Sequence, residues 1–300
     1  MADDGRPARA SHGIVDAHLH LWDPTRLAIG WLADAADAPR LNRPIEHDDY
    51  ATAARPLGVE AAVIVEAAVD DEAIDDEVTW MCEHVAADGI VAAGVASWRP
   101  AGDPGRVGAW LERLAETPGI VGLREVLHPR VFDAAAPADP RRIAAVQRAG
   151  ECGLVVDLCA RPDQLRAVEW LVSSAPGTAF VLDHLGRPRS GTSIGVAWRE
   201  SINRIAALPN VVVKISALIE CAENATWTAE GFRPFIQAVL DAFGPGRVMW
   251  GSNWPMCVDD AAGLASWLDA ARFGVLELNE AEQAAVFGGT ARRFYRLGTD

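Results

Sequence analysis

No CxxC pair occurs in the 300-residue sequence, and its five cysteines (Cys82, Cys152, Cys159, Cys221 and Cys257) are widely scattered. An odd, dispersed set argues against a disulfide framework and against a structural zinc site; reduced thiols in a cytoplasmic protein are the simplest account. Clusters of Lys and Arg are also missing. With a net charge of −15, the chain has no basic patch to offer nucleic acid or an anionic membrane. No apolar run nears the ~20 residues that span a bilayer. Residues 1–12 are polar and lack an apolar core, so they read as a disordered leader and not a signal peptide. No Gly-rich phosphate loop follows any predicted strand, which removes the common nucleotide-binding motifs.

What the chain has is apolar content, 50% of its residues, enough for a large core. Its length suits one or two domains, and an α/β barrel fills it as one. Short β-rich runs recur every thirty to forty residues or so: Ile14–Trp22, Val59–Glu66, Ile90–Trp98, Ile120–Leu127, Leu154–Cys159, Ala179–Leu185, Val211–Leu218 and Val248–Trp254. Several are apolar almost throughout, as parallel strands covered on both faces should be. Helical spacing fills the gaps. Ile74, Val78, Met81 and Val85 share one face within Asp71–Asp88, and Leu165, Val168, Leu171 and Val172 share another within Pro162–Ser174. Eight strand-helix units predict a (β/α)8 barrel, a single α/β domain over residues 13–300, with a terminal helix near Glu280–Arg296 packed on it.

In such barrels the active site lies at the C-terminal ends of the strands. Those ends carry polar groups in all eight predicted units. Strand one holds His18 and His20, which alternation places on one face. Strand two ends in Glu66 and strand three in Ser97-Trp98-Arg99. Strand four carries Arg124, then Glu125 and His128, and strand five Asp157. Strand six ends in Asp183-His184, strand seven in Lys214-Ile215-Ser216, and strand eight in Gly251-Ser252-Asn253-Trp254. Any one of these is best read as a satisfied core group. Eight together are hard to explain as packing, because each buried polar group costs free energy unless paired. Asp183, next to His184, should face away from it in a structural or helix-capping role. Lys214 reads as an internal salt-bridge partner, Glu125 as facing the helices, and Asp16 as a structural carboxylate.

The segments Val15-Asp16-Ala17-His18-Leu19-His20-Leu21-Trp22, Gly122-Leu123-Arg124, Asp157-Leu158-Cys159-Ala160-Arg161-Pro162, Asp183-His184-Leu185-Gly186-Arg187-Pro188 and Met249-Trp250-Gly251-Ser252-Asn253-Trp254-Pro255 resemble the amidohydrolase superfamily. Within it they resemble the lactonase group of L-fuconolactonases, rhamnonolactonases and 2-pyrone-4,6-dicarboxylate lactonase. The resemblance runs from Ile14 to about Tyr295. It implies a TIM barrel that hydrolyses lactones, usually of sugar acids. His18, His20 and His184 would surround the reacting carbonyl, and Arg124 would hold a substrate carboxylate or carbonyl oxygen. Glu66, Trp22, Trp98, His128, Asp157 and Trp254 are the further candidates for substrate contact. No required cofactor is expected. The alternative is one divalent metal such as zinc, held by His18, His20 and His184.

One position departs from the pattern. Most relatives carry Asp where this sequence has Asn253, and there the carboxylate takes a proton from water. An amide oxygen has no useful basicity. Either the base has moved to His18, His20, His184, Glu66 or Asp157, or the chain binds a lactone or acid without opening it, or the Asn is a substitution that traps substrate; relocation is preferred. A zinc-dependent non-oxidative decarboxylase is a further alternative, weakened by the missing strand-eight acid. The partner is a small molecule, not nucleic acid or membrane, and the oligomeric state is open, a dimer included. Specificity should lie in the loops Asp23–Asp48, Pro129–Pro140 and Ala222–Trp227.

Overall fold

The computed structural model describes residues 13–34, 38–87, 89–99, 104–127, 139–189, 195–222 and 227–298. The predicted leader at residues 1–12 lies outside them, as do His128 and most of the Pro129–Pro140 and Ala222–Trp227 loops.

Eight strands run parallel in chain order: β1 (Ile14–Leu19), β2 (Val59–Val65), β3 (Val91–Ser97), β4 (Ile120–Val126), β5 (Val155–Cys159), β6 (Phe180–Leu182), β7 (Val211–Ile215) and β8 (Val248–Trp250). Two backbone hydrogen bonds bring the ends of the sheet together, His20 N to Trp254 O at 2.8 Å and Asn253 N to His18 O at 2.9 Å. The fold is the expected TIM barrel.

Eight helices follow the strands: α1 (His47–Ala54), α2 (Ile74–Ala86), α3 (Pro104–Ala115), α4 (Pro140–Glu151), α5 (Leu165–Ser174), α6 (Val196–Ala206), α7 (Ala229–Phe243) and α8 (Ala261–Gly274). Each buries the apolar stripe its spacing defines. In α5 the buried residues are Leu165, Val168, Leu171 and Val172, the predicted face. Trp170, on the opposite face, is 47% exposed. The long first loop holds two short helical turns, Trp31–Asp34 and Ala38–Leu41.

The inner face of the barrel forms its own apolar cluster, including Val63, Val95, Val155, Val181 and Val212. The terminal segment, α9 (Glu280–Ala284), a π-helical turn (Ala285–Gly289) and α10 (Thr290–Phe294), closes this cluster from the N-terminal end of the strands. It comes close because Gly288 has no side chain: a Cβ there would sit 2.8 Å from Gly13 O. Ala291, Tyr295 and Leu297 then join the inner cluster. With one mouth filled by apolar side chains, the polar residues gather at the other.

Candidate active site

The histidine pair is set by a break in β1. Register with β2 shifts between Asp16 and Leu19, a bulge that re-aims the side chains beyond it. Asp16 pins the irregular backbone. Its Oδ1 accepts from His18 N (3.0 Å) and Ser252 N (2.8 Å), and its Oδ2 from the Tyr50 hydroxyl on α1 (2.6 Å). Asp16 is thus the structural carboxylate the sequence suggested. Beyond it His18 and His20 lie edge to face, their Nε2 atoms 3.2 Å apart. His20 Nδ1 donates to Val65 O at 3.0 Å, since a carbonyl can only accept. The Nε2 of His20 is then the acceptor, and Nε2–H of His18 the donor.

After β6 the chain enters a left-handed turn, with φ near +56° at His184, +54° at Leu185 and +51° at Arg187. Strand alternation would point Asp183 and His184 to opposite sides. The turn brings both into the barrel mouth, which corrects the expectation that Asp183 faces away. Asp183 Oδ2 accepts from Arg124 Nε at 2.6 Å, and its Oδ1 lies 3.1 Å from Lys214 Nζ and 3.4 Å from His18 Nδ1. His184 pairs with Ser216 Oγ through Nδ1 (2.7 Å) and faces Arg124 Nη2 through Nε2 (3.2 Å).

Two cations hold the cluster together. Lys214, the only lysine in the chain, is fully buried and reaches Asp157 Oδ2 at 2.6 Å, where the Tyr295 hydroxyl also donates at 2.8 Å. It is the internal salt-bridge partner expected. Arg124 spends each nitrogen on a different neighbour: Nε on Asp183, Nη1 on Glu66 Oε1 (2.8 Å) and Nη2 on His184. The Glu66 Oε2 accepts from Ser97 Oγ and from Ala68 N, both at 2.7 Å. Glu125, one residue from Arg124, points outward to Arg142 on α4, 2.5 Å away.

Electrostatics follow from this packing. Burial would raise the Asp183 carboxyl, but Lys214, His18 and Arg124 together hold it well below the usual carboxylate range. Burial likewise works against the Glu66 charge, and Arg124 with the Ser97 hydroxyl outweighs it, so this carboxyl is lowered. Burial, only partly offset by Lys214, pushes Asp157 up to about 6. Burial lowers all three imidazoles. Lys214 adds to this for His18 and the His18 ring adds to it for His184; His20, with Arg124 nearby, falls to about 4. At neutral pH the three rings are therefore uncharged and act as hydrogen-bond donors and acceptors, not as cations.

The remaining predicted residues are placed as follows. Trp22, Trp98 and Trp254 are 1%, 2% and 3% exposed. Trp22 packs edge-on to Trp31, and Trp254 edge-on to Tyr50. They stand around the site with little ring surface open. Asn253, in a left-handed conformation (φ +55°), lies against His18 through its backbone. Its Nδ2 reaches Glu220 Oε2 and Cys257 Sγ, each at 3.2 Å, and its buried Oδ1 has no hydrogen-bond partner among the described residues. Glu220, Tyr50 and Tyr295 were not singled out from the sequence. They sit past strand ends or on helices, where residue type alone gives no signal.

His18, Asp183 and His184 form the one group among the described residues whose ligand atoms approach each other as a cation site would, all within 4.8 Å. The donor set does not suit a divalent ion as it stands. Lys214 occupies His18 Nδ1 and Asp183 Oδ1, and Arg124 occupies Asp183 Oδ2 and His184 Nε2. A metal needs the lone pairs that these two cations already hold. With Nδ1 of His18 facing an ammonium, the ring carries its proton on Nε2, so that nitrogen offers no lone pair either.

A parallel barrel whose strand-end mouth gathers imidazoles, a guanidinium and carboxylates is that of a TIM-barrel enzyme. More narrowly, the chain belongs to the amidohydrolase family: the family's sequence profile, described as Amidohydrolase, matches residues 15–297. It is 31% identical to an L-fucono-1,5-lactonase of Burkholderia multivorans, over 94% of this chain and 96% of that one. It is 27% identical to a 4-sulfomuconolactone hydrolase of Rhizobium radiobacter, over 81% of this chain and 76% of that one. Among solved structures it is similar to an amidohydrolase of Burkholderia multivorans with bound zinc, at a TM-score of 0.81 and 29% identity, covering 95% of this chain and 99% of the other.

Proposed function

We propose that this protein hydrolyses lactones, with a sugar-acid lactone as the substrate class, as a cytoplasmic enzyme of carbohydrate metabolism that requires no metal. The observation that carries the reading is the pairing of donors in the mouth. His18 Nε2–H and Arg124 Nη2 are spent on neighbouring imidazole nitrogens at 3.2 Å in each case. A lactone carbonyl oxygen is a better acceptor once it bears developing charge, and it can take their place. Water adds to the carbonyl carbon, and the oxyanion gains about 3 kcal/mol from each well-placed donor. The ring C–O bond then breaks to give a hydroxy acid. The lactonase names of the relatives described above support the same chemistry.

Two alternatives fit less well. A decarboxylase of this fold would need an acid at the end of β8, where Asn253 stands, and the lone pairs at His18 and His184 are engaged by cations. A binding-only barrel leaves the donor arrangement without a purpose. The test is a panel of five- and six-membered sugar-acid lactones, followed by acid release with a pH indicator, with added zinc and with a chelator. Turnover of at least one lactone, unchanged by chelation, is expected. No acid from any lactone would overturn the lactonase reading, and turnover abolished by chelation and restored by zinc would overturn the metal-free one.

A further inference from the structure

The lactonase reading leaves one task unassigned, the removal of a proton from water. We propose that Glu220 is the general base of this site and that Asn253 holds the attacking water for it. The assignment rests on lactone hydrolysis being the reaction.

Elimination comes first. In the free protein each imidazole lone pair is engaged: His18 Nδ1 by Lys214, His184 Nε2 by Arg124, and His20 Nε2 by His18. The two that an incoming carbonyl would release, on His184 and His20, belong to rings whose basicity burial lowers. The carboxylates Asp16, Glu66, Asp157 and Asp183 are all fully buried and each is held by partners named above; Asp157 keeps one oxygen without a hydrogen bond among the described residues, but no part of it is exposed. A base must also return its proton and exchange with the mouth at each cycle. The Glu220 side chain is 30% exposed. It stands in the turn after β7, and its Oε1 is held by Arg187 at 2.5 Å. Arg187 comes from the left-handed turn after β6. The other oxygen, Oε2, lies 3.2 Å from Asn253 Nδ2.

The amide does the rest. A carboxylate oxygen can only accept, so Asn253 must turn Nδ2 toward Glu220 and Oδ1 away from it. That Oδ1 is buried and lacks a hydrogen-bond partner among the described residues, an expensive state that a water admitted by a small shift of the side chain relieves. Water donating one proton to Asn253 Oδ1 has its second proton free for Glu220 Oε2. In the reaction that O–H bond breaks and the proton passes to Glu220. The water oxygen bonds to the carbonyl carbon, and the carbonyl π pair moves onto its oxygen. Collapse breaks the ring C–O bond, and Glu220 gives the proton to the departing ring oxygen. The new acid group loses its own proton to solvent, and the Glu220 carboxylate is restored.

Among the described residues, the titratable groups that face Glu220 include Arg187 and the thiols of Cys159, Cys221 and Cys257. Burial pushes those thiols up to about 11, 12 and 12, so none of them ionises on the acid side of neutrality.

The experiment compares Glu220→Gln and Glu220→Ala with wild type on a lactone that wild type opens, with melting curves to show that both variants fold. Glu220→Gln is expected to lower kcat about 100-fold or more, the range of a lost general base, with little change in KM. Formate, a small carboxylate, is expected to restore Glu220→Ala about tenfold and saturably, which a merely structural ion pair would not allow. A loss of less than about tenfold in Glu220→Gln, or no formate rescue of folded Glu220→Ala, overturns the proposal. Wild type that opens no lactone overturns the lactonase reading and this assignment together. Wild-type turnover that survives Glu220→Gln overturns the assignment alone.

Discussion

Nζ of Lys214 lies 3.2 Å from Nδ1 of His18. An ammonium donates and never accepts, so this contact favours a proton on the other nitrogen of His18. That agrees with the donation to His20 Nε2; Asp183 Oδ1, 3.4 Å from the same Nδ1, pulls the other way at longer range. The ring is fixed with N–H on Nε2, the side that faces His20 and the mouth. Replacing Lys214 with Met should release that tautomer and leave Asp157 and Asp183 buried without their ammonium. Stability should fall by about 3–5 kcal/mol in denaturant titrations. Ring 15N shifts of His18 should move from one tautomer toward a mixture. Unchanged shifts would show that the lysine does not set the tautomer.

Arg124 serves three partners through three nitrogens in one plane, a geometry that an ammonium cannot copy. Arg124→Lys should keep the charge yet lower kcat about 100-fold, as expected for a lost transition-state donor. Steady-state kinetics decide the matter: a variant within threefold or so of wild type would mean that only the charge counts.

Gly251, directly after β8, packs against His18. An added Cβ would fall 2.7 Å from the Cβ of His18 and 3.1 Å from its backbone nitrogen. Gly251→Ala should therefore cost about 1–3 kcal/mol by overpacking. It should also displace His18 and depress kcat well beyond what the stability loss explains. A fully active, fully stable variant would show that this contact relaxes freely.

Glu77 on α2 bridges the ends of β2 and β3, accepting from Ala67 N at 2.7 Å and from Ser97 N at 3.0 Å. Burial, reinforced by the charge of Glu66, pushes it from the ordinary 4.5 up to about 7. The folded chain thus holds this proton more tightly than the unfolded chain does. Its contribution to stability is complete below pH 4.5 and is lost as pH rises through about 7. Glu77→Gln removes that dependence. The gap in Tm between wild type and variant should be wider at about pH 5 than at about pH 8. A gap that stays constant or widens with pH would contradict the raised value.

The barrel was largely legible in the sequence because parallel strands covered on both faces leave continuous apolar runs, and the helices between them repeat at a different period. Strand starts agree closely. The ends of four strands do not: Ile14–Trp22, Ala179–Leu185, Val211–Leu218 and Val248–Trp254 shorten to Ile14–Leu19, Phe180–Leu182, Val211–Ile215 and Val248–Trp250. In the last three a residue with positive φ follows within three residues of the strand end, at His184, Ala217 and Asn253. None of them is glycine; Asn253 and His184 are types that tolerate a left-handed backbone, a weak signal, and Ala217 gives none. The same turns decide the site. They bring Asp183 inward beside His184 and set Asn253 against Glu220. Reading the strands as straight could find the histidines and Arg124, but not the carboxylate partners that only a left-handed turn delivers.

Tyr295 reaches Asp157 from the opposite end of the barrel. Its hydroxyl comes from the segment that follows all eight strands, yet it touches the same carboxylate oxygen as Lys214. A nascent chain can therefore have every strand paired, and Lys214 beside Asp157, while that carboxylate still lacks its tyrosine hydroxyl. The floor of the barrel is laid last, and a protein trimmed before Tyr295 would keep its walls and its buried ion pair while losing the hydroxyl that completes the shell of Asp157.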